Sequence, residues 1–247
     1  MKSLKLVSLI VAALLISTLT GCVGVNLSSA YMPSVVGKGD LVSYTINVGK
    51  YNAVNMSLYC NIVYKSAPSD TVTLEIQSNL RDYVVIEENR GTLVVRSTAN
   101  ISITDKPPVL TISTPDLERV SLSGAGKFTT VDAITSDSFD FALSGAGTGD
   151  VDLDVGMCSI MLSGTGTFNV SGKAGSIKVN LSGAGSLDAL DLQAGDAEVD
   201  ISGAGIVRVN CTDYLSIDAA GVGTVEYKGD PKMNMNTNGL VTVRKVN

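Results

Sequence analysis

The side chains able to do chemistry here are four thiols, two groups of aspartates, six scattered arginines and a set of serines beside glycine-rich turns. Histidine is absent, which excludes His-activated nucleophiles and His-ligated metal centres. Asp150, Asp152 and Asp154 alternate with Val151, Leu153 and Val155, so a strand would place these carboxylates on one face. Asp200 and Asp218 fall at matching outward positions of successive repeats, with Asn180 and Asn236 to either side. Like charges stacked in this way repel, and a loosely held cation would offset the repulsion, as would plain solvation. With Cys22 set aside, Cys60, Cys158 and Cys211 are odd in number and match no zinc spacing, so buried thiols packing as small hydrophobes are expected. Cys158 and Cys211 lie 53 residues apart, more than two coils of the repeat described below, so no bridge between them is expected.

Two motif matches fail on context. Gly147 and Gly149 ahead of Asp150 give a faint likeness to the calcium-binding nonapeptide of β-roll proteins. That motif must recur in every turn, whereas the neighbouring repeats carry Phe168, Leu187 and Val207, so a solvated strand face is expected. The Gly-rich turns contain no Gly-Lys-Ser/Thr ending and lead into no helix whose N-terminus could hold a phosphate. Enzymes that act on polysaccharides from β-helical scaffolds combine clustered carboxylates with a catalytic Arg or Lys and aromatic platforms. This chain has no Trp and only scattered Arg, so no catalytic, cofactor-binding or metal-binding residue is expected.

The elements that carry these residues form a repeat. Leu122-Ser123-Gly124-Ala125-Gly126 recurs as Leu143-Ser144-Gly145-Ala146-Gly147, with Gly164 and Gly166, Gly183 and Gly185, and Gly203 and Gly205 at the same places in the next copies. Gly221 and Gly223 mark a weaker copy, and Asn238-Gly239 a vestige. The first glycines are spaced by 21, 19, 19, 20, 18 and 18 residues, the signature of a solenoid. Before each Gly, apolar and polar residues alternate, as in Cys158-Ser159-Ile160 and Ile177-Lys178-Val179, which predicts strands with one face inward. The expected fold is therefore all-β, a β-helix of about 20 residues per coil, with the paired glycines at tight corners that need positive φ or close backbone approach. Upstream, the runs 71–76, 83–87, 92–97 and 109–112 read as less regular strands, with Asn89-Arg90-Gly91 as a hairpin turn.

Composition agrees with an ordered exported protein. Of 247 residues, 45% are hydrophobic and only 5% aromatic, and the net charge is −6 with no basic cluster, which argues against nucleic acid. Lys2 and Lys5 precede an apolar run from Leu6 to Leu19, too short to span a bilayer and suited to a signal peptide. It ends in Leu19-Thr20-Gly21-Cys22, which resembles the bacterial lipobox, in which the Cys is acylated and becomes the first residue. The expected organisation is a lipoprotein signal peptide over 1–21, a tether over 22–44 and a β-helical domain over 45–247, irregular over 45–115 and regular over 116–247. Cys22 is the expected lipid attachment site, and its acyl chains the membrane anchor.

The succession Thr114-Pro115-Asp116-Leu117-Glu118-Arg119-Val120-Ser121-Leu122-Ser123-Gly124-Ala125-Gly126, the following Ser-Gly-Ala-Gly coils and Tyr227-Lys228-Gly229-Asp230-Pro231 together carry a family likeness. From about residue 45 to 247 the chain resembles the putative auto-transporter adhesin, head GIN domain family. The resemblance implies a single-stranded right-handed β-helix in a bacterial envelope protein, with no catalytic residues to carry over. The family's name suggests adhesion, and the expected function is a non-enzymatic, lipid-anchored envelope module with an adhesin-like β-helical surface, whose outward Ser, Thr, Asn and Asp would meet an extracytoplasmic protein or polysaccharide. A polysaccharide-acting β-helix enzyme and an envelope-stress accessory protein are the alternatives.

Overall fold

The computed structural model describes residues 32–103 and 106–247. The signal segment and Cys22 lie outside the described residues. Alternating inward and outward side chains give long strands that wrap rather than lie flat. The segment Phe139–Leu143 runs parallel and in register with Cys158–Leu162, which in turn aligns with Ile177–Leu181. Ala197–Ile201, Leu215–Ala219 and Met233–Thr237 continue the stack. Beyond each Gly corner a second face forms, from Ala146–Asp150 through Thr165–Asn169 and Ala184–Asp188 to Leu240–Arg244. The result is a β-solenoid of about 7 turns, with about 19 residues per coil. Within the regular stack each coil satisfies its backbone groups from the coils above and below, so its strands need no hairpin partner.

The inward residues form one continuous core. Phe128, Phe139, Phe141 and Phe168 are all buried within it. The Phe128 and Phe141 ring centroids lie 5.9 Å apart, and those of Phe141 and Phe168 lie 4.4 Å apart. Cys158 sits in the inward column between Phe139 and Ile177, and Cys211 pairs with Ala194 further along the stack.

The N-terminal part departs from a simple winding. Ala53–Met56 and Asn61–Lys65 form a coil directly against Arg119–Leu122 and Ala125–Thr130. On its other side, Thr92–Ser97 and Val109–Ser113 make a further layer, parallel again. The chain therefore leaves the stack after residue 65, builds the layer beyond, and returns at residue 119. Val84–Asn89 and Thr71–Gln77 then pair antiparallel with that layer, and Leu41–Ile46 pairs antiparallel with Thr71–Gln77. A 3₁₀ turn over Ser78–Tyr83, with Leu80 buried, links the two antiparallel strands. Antiparallel strands laid on the end of a parallel stack occupy edges that would otherwise invite further pairing.

The hairpin expected at Asn89-Arg90-Gly91 is present, with φ of 52° at Arg90 and 80° at Gly91, the two positive values of a type I′ turn. The tether expected over 22–44 requires correction. Ser34–Val36 forms a strand parallel to Asn100–Ser102, and the Leu41–Ile46 strand begins inside the same span. Pairing partners at least 26 residues away in the chain order these segments.

Candidate functional site

The glycine corners set the spacing of everything the outer faces present. A Cβ placed on Gly145, Gly164, Gly183, Gly203 or Gly221 would lie closer than 3.0 Å to the carbonyl oxygen of the equivalent glycine one coil earlier. Gly147, Gly166, Gly185, Gly205 and Gly223 meet the preceding corner's second glycine in the same way. Gly124 and Gly126 instead face the carbonyls of Leu58 and Cys60. Among these twelve, only Gly126 has a positive φ, so close backbone approach is the constraint on the others.

The aspartates point outward as the alternation predicts: Asp150, Asp152 and Asp154 are exposed, and Val151, Leu153 and Val155 are buried. Each meets a neighbouring coil. Lys127 Nζ lies 2.5 Å from Asp150 Oδ2, and Asn169 Nδ2 donates to Asp150 Oδ1 at 2.7 Å. Lys127 first, and then Asn169, hold the Asp150 carboxyl below the usual carboxylate range. Ser171 Oγ donates to Asp152 at 3.2 Å, and Lys173 stands in register with Asp154. The coil alignment is also one position off from the calcium comparison above. Phe168, Leu187 and Val207 share a column with Gly149, whereas the Asp150 column continues as Asn169, Asp188 and Arg208. An acidic residue therefore does recur two coils on, and Arg208 neutralises it.

Asp200 and Asp218 are adjacent in register, between Asn180 and Asn236, as expected. Partial burial, followed by the nearby Glu198 carboxylate, raises the Asp200 carboxyl above its ordinary value. Lys178 lies 4.0 Å from Asp200 and 2.8 Å from Glu198. Among the described residues, no group of three or more His, Cys, Asp or Glu is placed to hold a metal ion.

One feature escaped the sequence reading. Asp188, Arg208, Glu226 and Arg244 form a column of alternating charge across four coils. Arg208 reaches Asp188 at 3.2 Å and Glu226 at 2.5 Å, and Arg244 pairs with the same Glu226. The Glu226 side chain is almost fully covered at 7% exposure, so its two arginines matter more than exposed partners would. Aligning the repeats by their glycines would have shown the alternation down this column. Arg208, and then Arg244, keep the Glu226 carboxyl below its ordinary range. A group depressed on folding adds stability above its unfolded pKa, about 4.3 for Glu, and that stability is lost as pH falls through the folded value. Glu226→Gln should therefore melt lower than the native protein at pH 7, with the gap closing at pH 3; a thermal melt series over pH checks this. A gap equal at both pH values would assign the effect to packing.

The three described cysteines are free and buried. Burial pushes the thiols of Cys60 and Cys158 up to about 12 and that of Cys211 up to about 11. Thiolate is the reactive form, so iodoacetamide at pH 8 should leave all three unmodified in the native protein and alkylate them after denaturation. Mass spectrometry reads the outcome.

A solenoid of stacked strands, closed at one end by antiparallel strands and lined outside by coil-to-coil polar pairs, defines a rigid repeat scaffold. The chain belongs to the putative auto-transporter adhesin, head GIN domain family, whose pattern matches residues 50–231. No curated protein matches it in sequence. Among solved structures it is similar to a putative adhesin from Bacteroides fragilis, at 21% identity over 86% of this chain and 100% of the other, with a TM-score of 0.80. A putative lipid binding protein from Parabacteroides distasonis is 22% identical over 87% of this chain and 100% of its own, with a TM-score of 0.68. A putative adhesin from Parabacteroides merdae is 21% identical over 87% of this chain and 100% of its own, with a TM-score of 0.65. At these identities the likeness is one of fold.

Proposed function

We propose that the protein is a non-enzymatic, adhesin-like module of the bacterial cell envelope, exported and held at the membrane by acyl chains on Cys22. The observation that supports this most is the continuity of its outer faces. About 7 coils present polar side chains in straight columns on a single rigid core. A surface of this kind suits repeated weak contacts along an extended partner, in which avidity multiplies modest individual affinities. Family membership agrees with an adhesin-like role. The Leu19-Thr20-Gly21-Cys22 run supports the anchor. The partner is an extracytoplasmic protein or polysaccharide.

A strain lacking the gene should attach less to its surface or neighbour cells, and the native gene should restore attachment. Cys22→Ala should release the protein from the membrane fraction, and mass spectrometry of the native N-terminal peptide should show a diacylated cysteine. Unchanged attachment in the deletion strain overturns the adhesin reading. An unmodified Cys22 in the membrane fraction overturns the anchor.

A further inference from the structure

We infer that the outer face around Tyr214 is a binding groove for a neutral hexose oligomer, which deepens the adhesin reading and rests on it. The outward column that precedes the Gly corner runs Met157, Ser176, Asp196 and Tyr214, one residue per coil. The first and last side chains of this stretch are large and exposed, Met157 at 54% and Tyr214 at 43%, and the column continues beyond them with Ser138 on one side and Lys232 on the other. Its middle is short, so the surface dips between two walls set three coil steps apart, roughly 14 Å at about 4.8 Å per step. The depression has a volume of about 410 Å³ and is floored by Ile177 and Ala197. That length suits two or three pyranose rings laid along the stack.

The lining chemistry selects the ligand. A pyranose has an apolar C–H face and a rim of hydroxyls. Tyr214 offers a ring face with a polar tip, on a protein whose four phenylalanines are all buried. Ser176 and Ser216 both donate and accept, and Asp196 is an exposed acceptor with no hydrogen bond or ion pair among the described residues. Lys178 also lines the groove, but it is committed to Glu198 at 2.8 Å. With that pair cancelled, Asp196 leaves the lining itself net negative, while the exposed Lys232 stands outside it, next in register beyond Tyr214. An anionic glycan or phosphate is repelled there, and an uncharged sugar is not.

Calorimetric titration of the full-length protein with neutral gluco-, manno-, galacto- and N-acetylglucosamine hexamers tests the inference, with polygalacturonate as the anionic probe. At least one neutral hexamer should bind saturably, and polygalacturonate should not. Tyr214→Ala should weaken binding about tenfold or more, equivalent to about 1.4 kcal/mol, while Tyr214→Phe retains most of it. Tyr59→Ala, at an exposed tyrosine outside the groove, should change nothing. Tyr214 is exposed, so a thermal melt should show its variants folded like the native protein. Failure of all four neutral hexamers, equal binding of polygalacturonate, or full affinity in Tyr214→Ala overturns the groove assignment. If the groove fails while the deletion strain still loses attachment, only the ligand and its place are wrong. If deletion leaves attachment intact, the adhesin reading itself falls.

Discussion

Gly183→Val should destabilise the domain by about 3 kcal/mol or more, whereas Ser182→Ala should stay within about 0.5 kcal/mol of the native protein. A Cβ on Gly183 would run into the Gly164 carbonyl and into the backbone of Ser163, which lies at 2.6 Å. Backbone atoms cannot swing aside as a side chain tip can. Relief requires the two corners to part, which breaks the hydrogen bonds from Gly183 N to Leu162 O and from Ala184 N to Gly164 O, both 3.0 Å long. The coil above rests on the same corner, since Gly203 stacks on Gly183. Ser182 is exposed and contributes only its backbone to that contact. Paired denaturant melts of the two variants measure the difference. Equal midpoints would show that the corners tolerate a side chain, and the recurrence of glycine would then need a functional cause.

Phe168→Ala should cost about 3–5 kcal/mol, the usual range for removing a buried aromatic ring. Phe168 is 1% exposed and stands in register with Gly149, and a Cβ on that glycine would strike the ring closer than 3.0 Å. Gly149 is thus a core position left vacant so that the next coil's ring can enter it. The void among Phe139, Phe141, Val151, Leu153, Ile160, Phe168 and Val170 is about 10 Å³, so the packing leaves little slack to absorb a deletion. Gly149→Ala alone should also destabilise, by clashing with the ring. Combined with Phe168→Ala it should restore part of the loss, because the new methyl enters the space the ring vacates. Strict additivity in a double-mutant cycle would show that the two positions do not share that space.

Most of the solenoid was legible because a repeat reports its own geometry. A period near 20 with alternating apolar residues in Phe139–Leu143, Cys158–Leu162 and Ile177–Leu181 leaves little choice but stacked strands, and the register of Asp200 on Asp218 follows from counting. The aspartate strand faced outward for the same reason, since period 2 assigns faces without reference to any partner. The one-position error at Gly149 arose because a core glycine looks like a turn glycine until the ring beside it is seen.

What the sequence determined by itself was therefore everything local and periodic: strands, corners, the inward columns and the approximate coil length. Tertiary structure alone decided the order of the layers near the N-terminus, where residues 53–65 lie between 92–113 and 119–130 in space but precede both in the chain. It also decided that 34–36 and 41–46 are strands, that Arg208 and Arg244 share Glu226, and that Met157 and Tyr214 wall one groove. The physical reason is the same throughout. Periodicity encodes which way a side chain faces, but contacts between coils depend on which coil comes to rest on which. Where the chain leaves the stack and returns more than 50 residues later, as it does between residues 65 and 119, only the packed core records the choice.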